Sequence, residues 1–100
     1  MKAIPKNILV SWQGVLNTGI QEIRLAFNIS LAEDGSYTAT LDSPDQGAMA
    51  IPLGEVSLTE DSLRIEAPLI QGFYLGKVSS DRSIFGEWHQ TGRSFKLDLD

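Results

Sequence analysis

Apolar and polar residues alternate with a period of two along most of this chain, the pattern of strands that bury one face and expose the other. In the clearest run, Ile23, Leu25, Phe27, Ile29 and Leu31 alternate with Glu22, Arg24, Ala26, Asn28 and Ser30. Tyr37, Ala39 and Leu41 repeat the pattern against Ser36, Thr38, Thr40 and Asp42. Between these runs, Glu33-Asp34-Gly35 predicts a hairpin whose glycine takes a positive φ without steric cost. Leu63, Ile65, Ala67 and Leu69 alternate with Ser62, Arg64 and Glu66, and Phe95, Leu97 and Leu99 with Ser94, Lys96 and Asp98. No window carries the i, i+3, i+4, i+7 apolar recurrence of an amphipathic helix, so little or no helix is expected.

Turn-forming clusters punctuate the chain at Asn17-Thr18-Gly19, Glu33-Asp34-Gly35, Ser43-Pro44-Asp45-Gln46-Gly47, Thr59-Glu60-Asp61, Gln71-Gly72, Ser79-Ser80-Asp81-Arg82 and Gln90-Thr91-Gly92. Spacings near ten residues indicate an all-β antiparallel meander of about eight strands. The segment Ala48 to Leu58 holds Pro52 and Gly54 and should bend or lie at an edge, because proline donates nothing to a central ladder. Closing such a meander into a small lipocalin-like barrel removes its unpaired edges, and this is the expected architecture. A two-sheet sandwich is the alternative, since alternation fixes the buried face and not closure. The inward set expected of the barrel is Val10, Trp12, Leu25, Phe27, Tyr37, Leu41, Val56, Leu63, Ile65, Phe73, Leu75, Trp88, Phe95 and Leu97. Leu9, Ile70, Tyr74 and Phe85 fall in the opposite phase, where they would face solvent or a partner surface.

Composition narrows the function classes. One hundred residues make one domain, 1–100, with residues 1–7 as a flexible N-terminal segment, and 42% apolar content leaves enough for a core. Eight basic against thirteen acidic residues give a net charge of −5, which offers no field for a phosphate backbone and excludes nucleic acid as the expected partner. The apolar run Ile8-Leu9-Val10 is broken by Ser11 and Gln13, so neither a signal peptide nor a membrane span is read from it. With no cysteine and one histidine, disulfides, thiolate metal sites and cysteine nucleophiles are absent, and no metal or cofactor is expected.

The remaining candidate chemistry has plainer readings. Ser83 and His89 are near in sequence, but no G-x-S-x-G elbow is present, and Ser11, Ser36 and Ser57 stand at ordinary strand or turn positions. His89 falls on the face opposite Trp88 and is expected to face solvent. Asp42 with Asp45, and Glu60 with Asp61, read as turn residues rather than as an acid/base pair. A calcium loop at Asp42-Ser43-Pro44-Asp45 lacks the ligand spacing of an EF-hand. The aromatics Trp12, Phe27, Tyr37, Phe73, Trp88 and Phe95 are in phase to fill a barrel or to line a cavity for a small apolar ligand; the packed interior is the expectation.

A series of motifs carries a family resemblance: Trp12-Gln13-Gly14-Val15-Leu16, the strand Leu25 to Ile29, Asp34-Gly35, Thr40 to Gly47, Ile51-Pro52 and Gly86-Glu87-Trp88-His89-Gln90-Thr91-Gly92. It resembles the small β domain that precedes the catalytic domain in bacterial, typically exported, α/β-hydrolase serine esterases, over about nine tenths of the chain. The hexapeptide Asp42 to Gly47 is its most specific piece. The resemblance implies a non-catalytic accessory domain whose partner is a hydrolase domain or a second copy, and an extracytoplasmic location. The family's catalytic serine, acid and histidine belong to the following domain, so no catalytic residue is expected here. A chain ending at Leu97-Asp98-Leu99-Asp100 reads as an excised domain or a stand-alone copy. A free-standing barrel that binds a small apolar molecule is the second expectation.

Overall fold

The computed structural model of the chain describes residues 11–80 and 83–100. The expectations placed on Leu9, Val10, the segment 1–7 and the Asp81-Arg82 half of one turn lie outside the described residues.

Among the described residues nine strands form one antiparallel sheet: β1 (Ser11–Asn17), β2 (Glu22–Leu31), β3 (Tyr37–Ser43), β4 (Ala48–Pro52), β5 (Val56–Thr59), β6 (Ser62–Ala67), β7 (Gly72–Ser80), β8 (Ser83–Gln90) and β9 (Arg93–Lys96). The expected turns among the described residues fall at the junctions between strands, and Gly35 takes φ +89° in the β2–β3 hairpin. The segment expected to bend does so and yields two strands. β4 pairs only with β3, ending at Pro52. Leu53 N–H then donates to Ala39 O (3.1 Å), Gly54 N–H donates to Glu66 O (2.7 Å), and β5 continues along β6.

The sheet curls into a nearly closed barrel, which sets aside the two-sheet sandwich. Past β9, the chain stays on β8: Leu97 N–H donates to Gly86 O (2.8 Å), and Ile84 and Leu99 exchange bonds of 2.8 and 2.7 Å. Asp100 then exchanges two backbone bonds with Gln13 of β1, at 2.9 and 3.0 Å, so the final residues join the last strands to the first. That covers part of the edge a meander would otherwise expose.

Two turns repeat one device. Pro44–Gln46 and Pro68–Ile70 are single 3₁₀ turns, each preceded by a buried small residue, Ser43 or Ala67, in extended conformation. Proline forces its predecessor out of the helical region and presets its own φ, so the strand ends abruptly. Gly47 and Gln71, both left-handed, close the turns by donating N–H to Pro44 O and Pro68 O. The expected alternation through Leu69 is therefore corrected: β6 ends at Ala67, and Leu69 is exposed on the second turn.

The core runs along the barrel axis. Trp12, Phe27 and Trp88 are buried as expected, with Leu25, Leu41, Val56, Leu63, Ile65 and Leu97. Tyr37 and Phe95 are half-buried and pack on this cluster. Strand β7 is the main correction. Phe73 and Leu75, expected inward, point out; Tyr74, expected outward, is fully buried. Both faces of this strand carry bulky apolar residues, so alternation alone does not choose. The choice is made by Gly72 and Gly76, which share the phase of Tyr74, and by Lys77, which shares that of Phe73 and Leu75. A Cβ on Gly76 would stand 2.7 Å from the Tyr74 ring, and one on Gly86 across the ladder 2.7 Å from the Tyr74 hydroxyl. The paired glycines leave room for the phenol, which donates to Leu97 O at 2.8 Å. Ile84 is also fully buried, and Leu31, the last residue of the alternating apolar run, is exposed at the end of β2. Phe27 packs against Tyr74 (5.5 Å between centroids) and Trp88 (6.2 Å), which fills the middle of the barrel.

Candidate functional site

In an up-and-down meander alternate turns share one end of the barrel. Here the β1–β2, β3–β4, β6–β7 and β8–β9 turns surround a half-open cavity of about 510 Å³. Such a volume lies within the usual range of small-molecule pockets. Leu25, Leu41 and Trp88, one inward position below the strand ends, line its depth. Ile23, Ile51, Ile70 and Phe95 form its sides, and Thr18, Ile20, Gln46, Thr91 and Arg93 its rim. The expected packed interior thus holds for the aromatic middle and fails above it, because the 3₁₀ turns end their strands without sending large side chains over the mouth. Ile70, expected to face solvent, is half-buried on the cup wall for the same reason.

The mouth is braced by polar side chains. Gln90 accepts from Trp88 Nε1–H (3.0 Å) and donates its amide to Ile70 O (2.7 Å), which ties the indole to the second 3₁₀ turn. Ser43 Oγ, buried, donates to Gln46 Oε1 at 2.7 Å. On the outside, Asp45 holds the first turn against β2: its carboxylate accepts from the Arg24 guanidinium (2.7 Å to Nη2) and from the Arg24 backbone N–H (2.8 Å). These bonds lower its pKa to about 2, the guanidinium contact contributing most. Asp42 accepts from Ala50 N–H (2.7 Å) and from the Asn28 amide (3.1 Å), which also hold its pKa below the usual carboxylate range. The hexapeptide Asp42 to Gly47 is therefore a braced lip of the cup, with its two carboxylates turned to separate structural partners. Among the described residues no group of three metal-ligating side chains occurs.

The catalytic candidates do not assemble. Ser83 and His89 stand six residues apart on β8, about 20 Å at the usual strand rise. Ser36 donates to Asp34 Oδ1 at 2.6 Å, Ser11 to Asn28 Oδ1, and Ser57 lies opposite Arg64 in the β5–β6 ladder. His89 does lie on the outer face, but half-buried: its ring stacks on Phe73 at 4.6 Å, and Arg64 covers Phe73 at 4.3 Å. This stack was not legible from alternation, because it needs Phe73 outside.

Exposed apolar residues stand at the rim, where Ile20 is 92% exposed, and on the outer wall, where Leu75 and Phe85 occupy diagonal positions of the β7–β8 ladder. Among the described residues no helix is long and apolar enough to cross a membrane. No family model, curated protein or solved structure matches the chain.

Proposed function

We propose that this chain is a non-catalytic binding barrel that takes the apolar part of a small molecule into the cup above Trp88. The observation that carries the reading is the half-open cavity of about 510 Å³, lined by aliphatic and aromatic side chains on a rim already braced by Gln90 and Asp45. A preformed apolar site avoids the ordering cost of binding and gains from removing ligand surface from water. Catalysis has no comparable support, since Ser83 and His89 stand about 20 Å apart along β8 and Ser11 and Ser36 bond Asn28 and Asp34. The test is titration with 1-decanol, read by tryptophan emission and by calorimetry, against the wild-type chain and Ile51→Phe. Saturable binding that Ile51→Phe weakens is expected, because the larger ring occupies the cup; binding unaffected by Ile51→Phe places the ligand elsewhere and removes the reading.

A second reading follows the motif series: an accessory domain that docks on a hydrolase domain. Leu75 and Phe85, exposed at diagonal positions on the outer wall, favour it. Its test is co-purification with a hydrolase domain supplied in trans. Retention by the wild type and loss in Leu75→Ser/Phe85→Ser is the supporting result, and no retention removes it.

A further inference from the structure

The cup is selective in charge as well as in polarity. The chain carries thirteen acidic side chains against eight basic ones, yet among the described residues no carboxylate lines the cup, and Arg93 is the one charged residue that does. Arg93 opens β9 opposite Gln90 and shares the phase of Phe95 and Leu97, so its side chain leaves the strand on the inner face at the rim. Its guanidinium lies 5.2 Å from the Phe95 ring centroid, which holds the charge over the cup wall. The other arginines with described charge partners, Arg24 and Arg64, pair with Asp45 and Glu66; among the described residues Arg93 makes no ion pair. Gln46, whose Oε1 accepts from Ser43 Oγ, stands on the same rim.

We propose that the ligand is an anionic amphiphile, a monocarboxylate with an apolar tail, whose tail fills the cup and whose carboxylate meets the Arg93 guanidinium at the rim. This rests on the binding-barrel reading and adds the head group to it. An apolar depth with one forked donor at the opening matches that chemistry: guanidinium and carboxylate form paired, charge-assisted hydrogen bonds, whereas a cationic head would meet like charge. The site is at the surface, so the charge contributes selectivity, and the tail most of the affinity.

The experiment is calorimetric titration of the full chain with decanoate, 1-decanol and decyltrimethylammonium at neutral pH, repeated with Arg93→Gln and Arg93→Lys. The three ligands share a tail and differ in head charge. In the wild type, decanoate binds about fivefold more tightly than decanol, the size of a favourable exposed charge pair, and the cation binds more weakly than either. Arg93→Gln brings decanoate level with decanol, and Arg93→Lys restores part of the preference. Equal affinity for decanoate and decanol in the wild type, or an equal loss for all three ligands in Arg93→Gln, overturns the head-group assignment while leaving the cup as a binding site. Failure of all three ligands to bind overturns the binding-barrel reading itself, and the assignment with it.

Discussion

Asp45 accepts hydrogen bonds from both the guanidinium and the backbone N–H of Arg24, so one carboxylate fastens the β3–β4 turn to a strand 21 residues earlier in the chain. Its pKa is lowered to about 2 in the folded chain. A carboxylate whose folded pKa is depressed contributes stability that is present above its unfolded pKa and is lost as pH falls through the folded value. The wild type should therefore exceed Asp45→Asn in stability near neutral pH, and the difference should shrink between about pH 5 and about pH 2. Acid unfolding of both chains, followed by tryptophan emission, checks this; a difference that stays constant across that window contradicts it.

The two tyrosines should respond oppositely to loss of the hydroxyl. Tyr74 is fully buried with its phenol donating to Leu97 O, and burial raises its pKa well above the ordinary value, with Asp98 adding to the effect. Tyr74→Phe leaves that carbonyl without its donor and should cost about 1–2 kcal/mol. The Tyr37 hydroxyl is buried without a partner among the described residues, so Tyr37→Phe should be neutral or stabilising. Urea unfolding of the two variants measures both.

Gly86 faces Gly76 across the β7–β8 ladder, and a Cβ there would stand 2.4 Å from Leu75 O as well as against the Tyr74 hydroxyl. Gly86→Ala should destabilise the chain by about 1–3 kcal/mol, the range of an overpacked core. In a domain of this size that corresponds to a fall in Tm of about 4–8 °C per kcal/mol, read by thermal unfolding.

Gln90 joins Trp88 to the turn at Ile70. Gln90→Ala removes the acceptor of a buried indole N–H and should cost about 1–3 kcal/mol. Because that indole lines the cup, its emission should shift to the red as water reaches it, and ligand affinity should fall with the loosened rim. An unchanged spectrum with unchanged stability would show that the brace is dispensable.

Most of the strand map could be read in the sequence, because a strand with one wet face writes its burial as alternation. Ile23 to Ile29 and Leu63 to Ala67 are such strands, and the turn clusters between them bear Gly, Asp and Pro for reasons local to the backbone. Strand β7 resisted because Phe73 and Leu75 cover the outer wall while Tyr74 fills the inside; only the small residues Gly72 and Gly76, and the charge on Lys77, marked the phase. Closure through Asp100 and Gln13 is a contact between chain ends that no periodicity encodes. The cup was hidden for a related reason: Leu25, Leu41, Ile51, Ile70 and Trp88 look like core in sequence, and whether their tips meet or leave a space depends on where two proline turns end their strands.

The central claim is that the open end of the barrel binds a ligand, and amide chemical-shift mapping with ¹⁵N-labelled chain and 1-decanol tests it most directly. The account predicts saturable shifts at Ile51, Ile70, Gln90 and the Trp88 indole N–H, with the hairpin Glu33-Asp34-Gly35 at the other end unmoved. Shifts confined to the outer wall around Leu75 and Phe85, or none at saturating decanol, would contradict it.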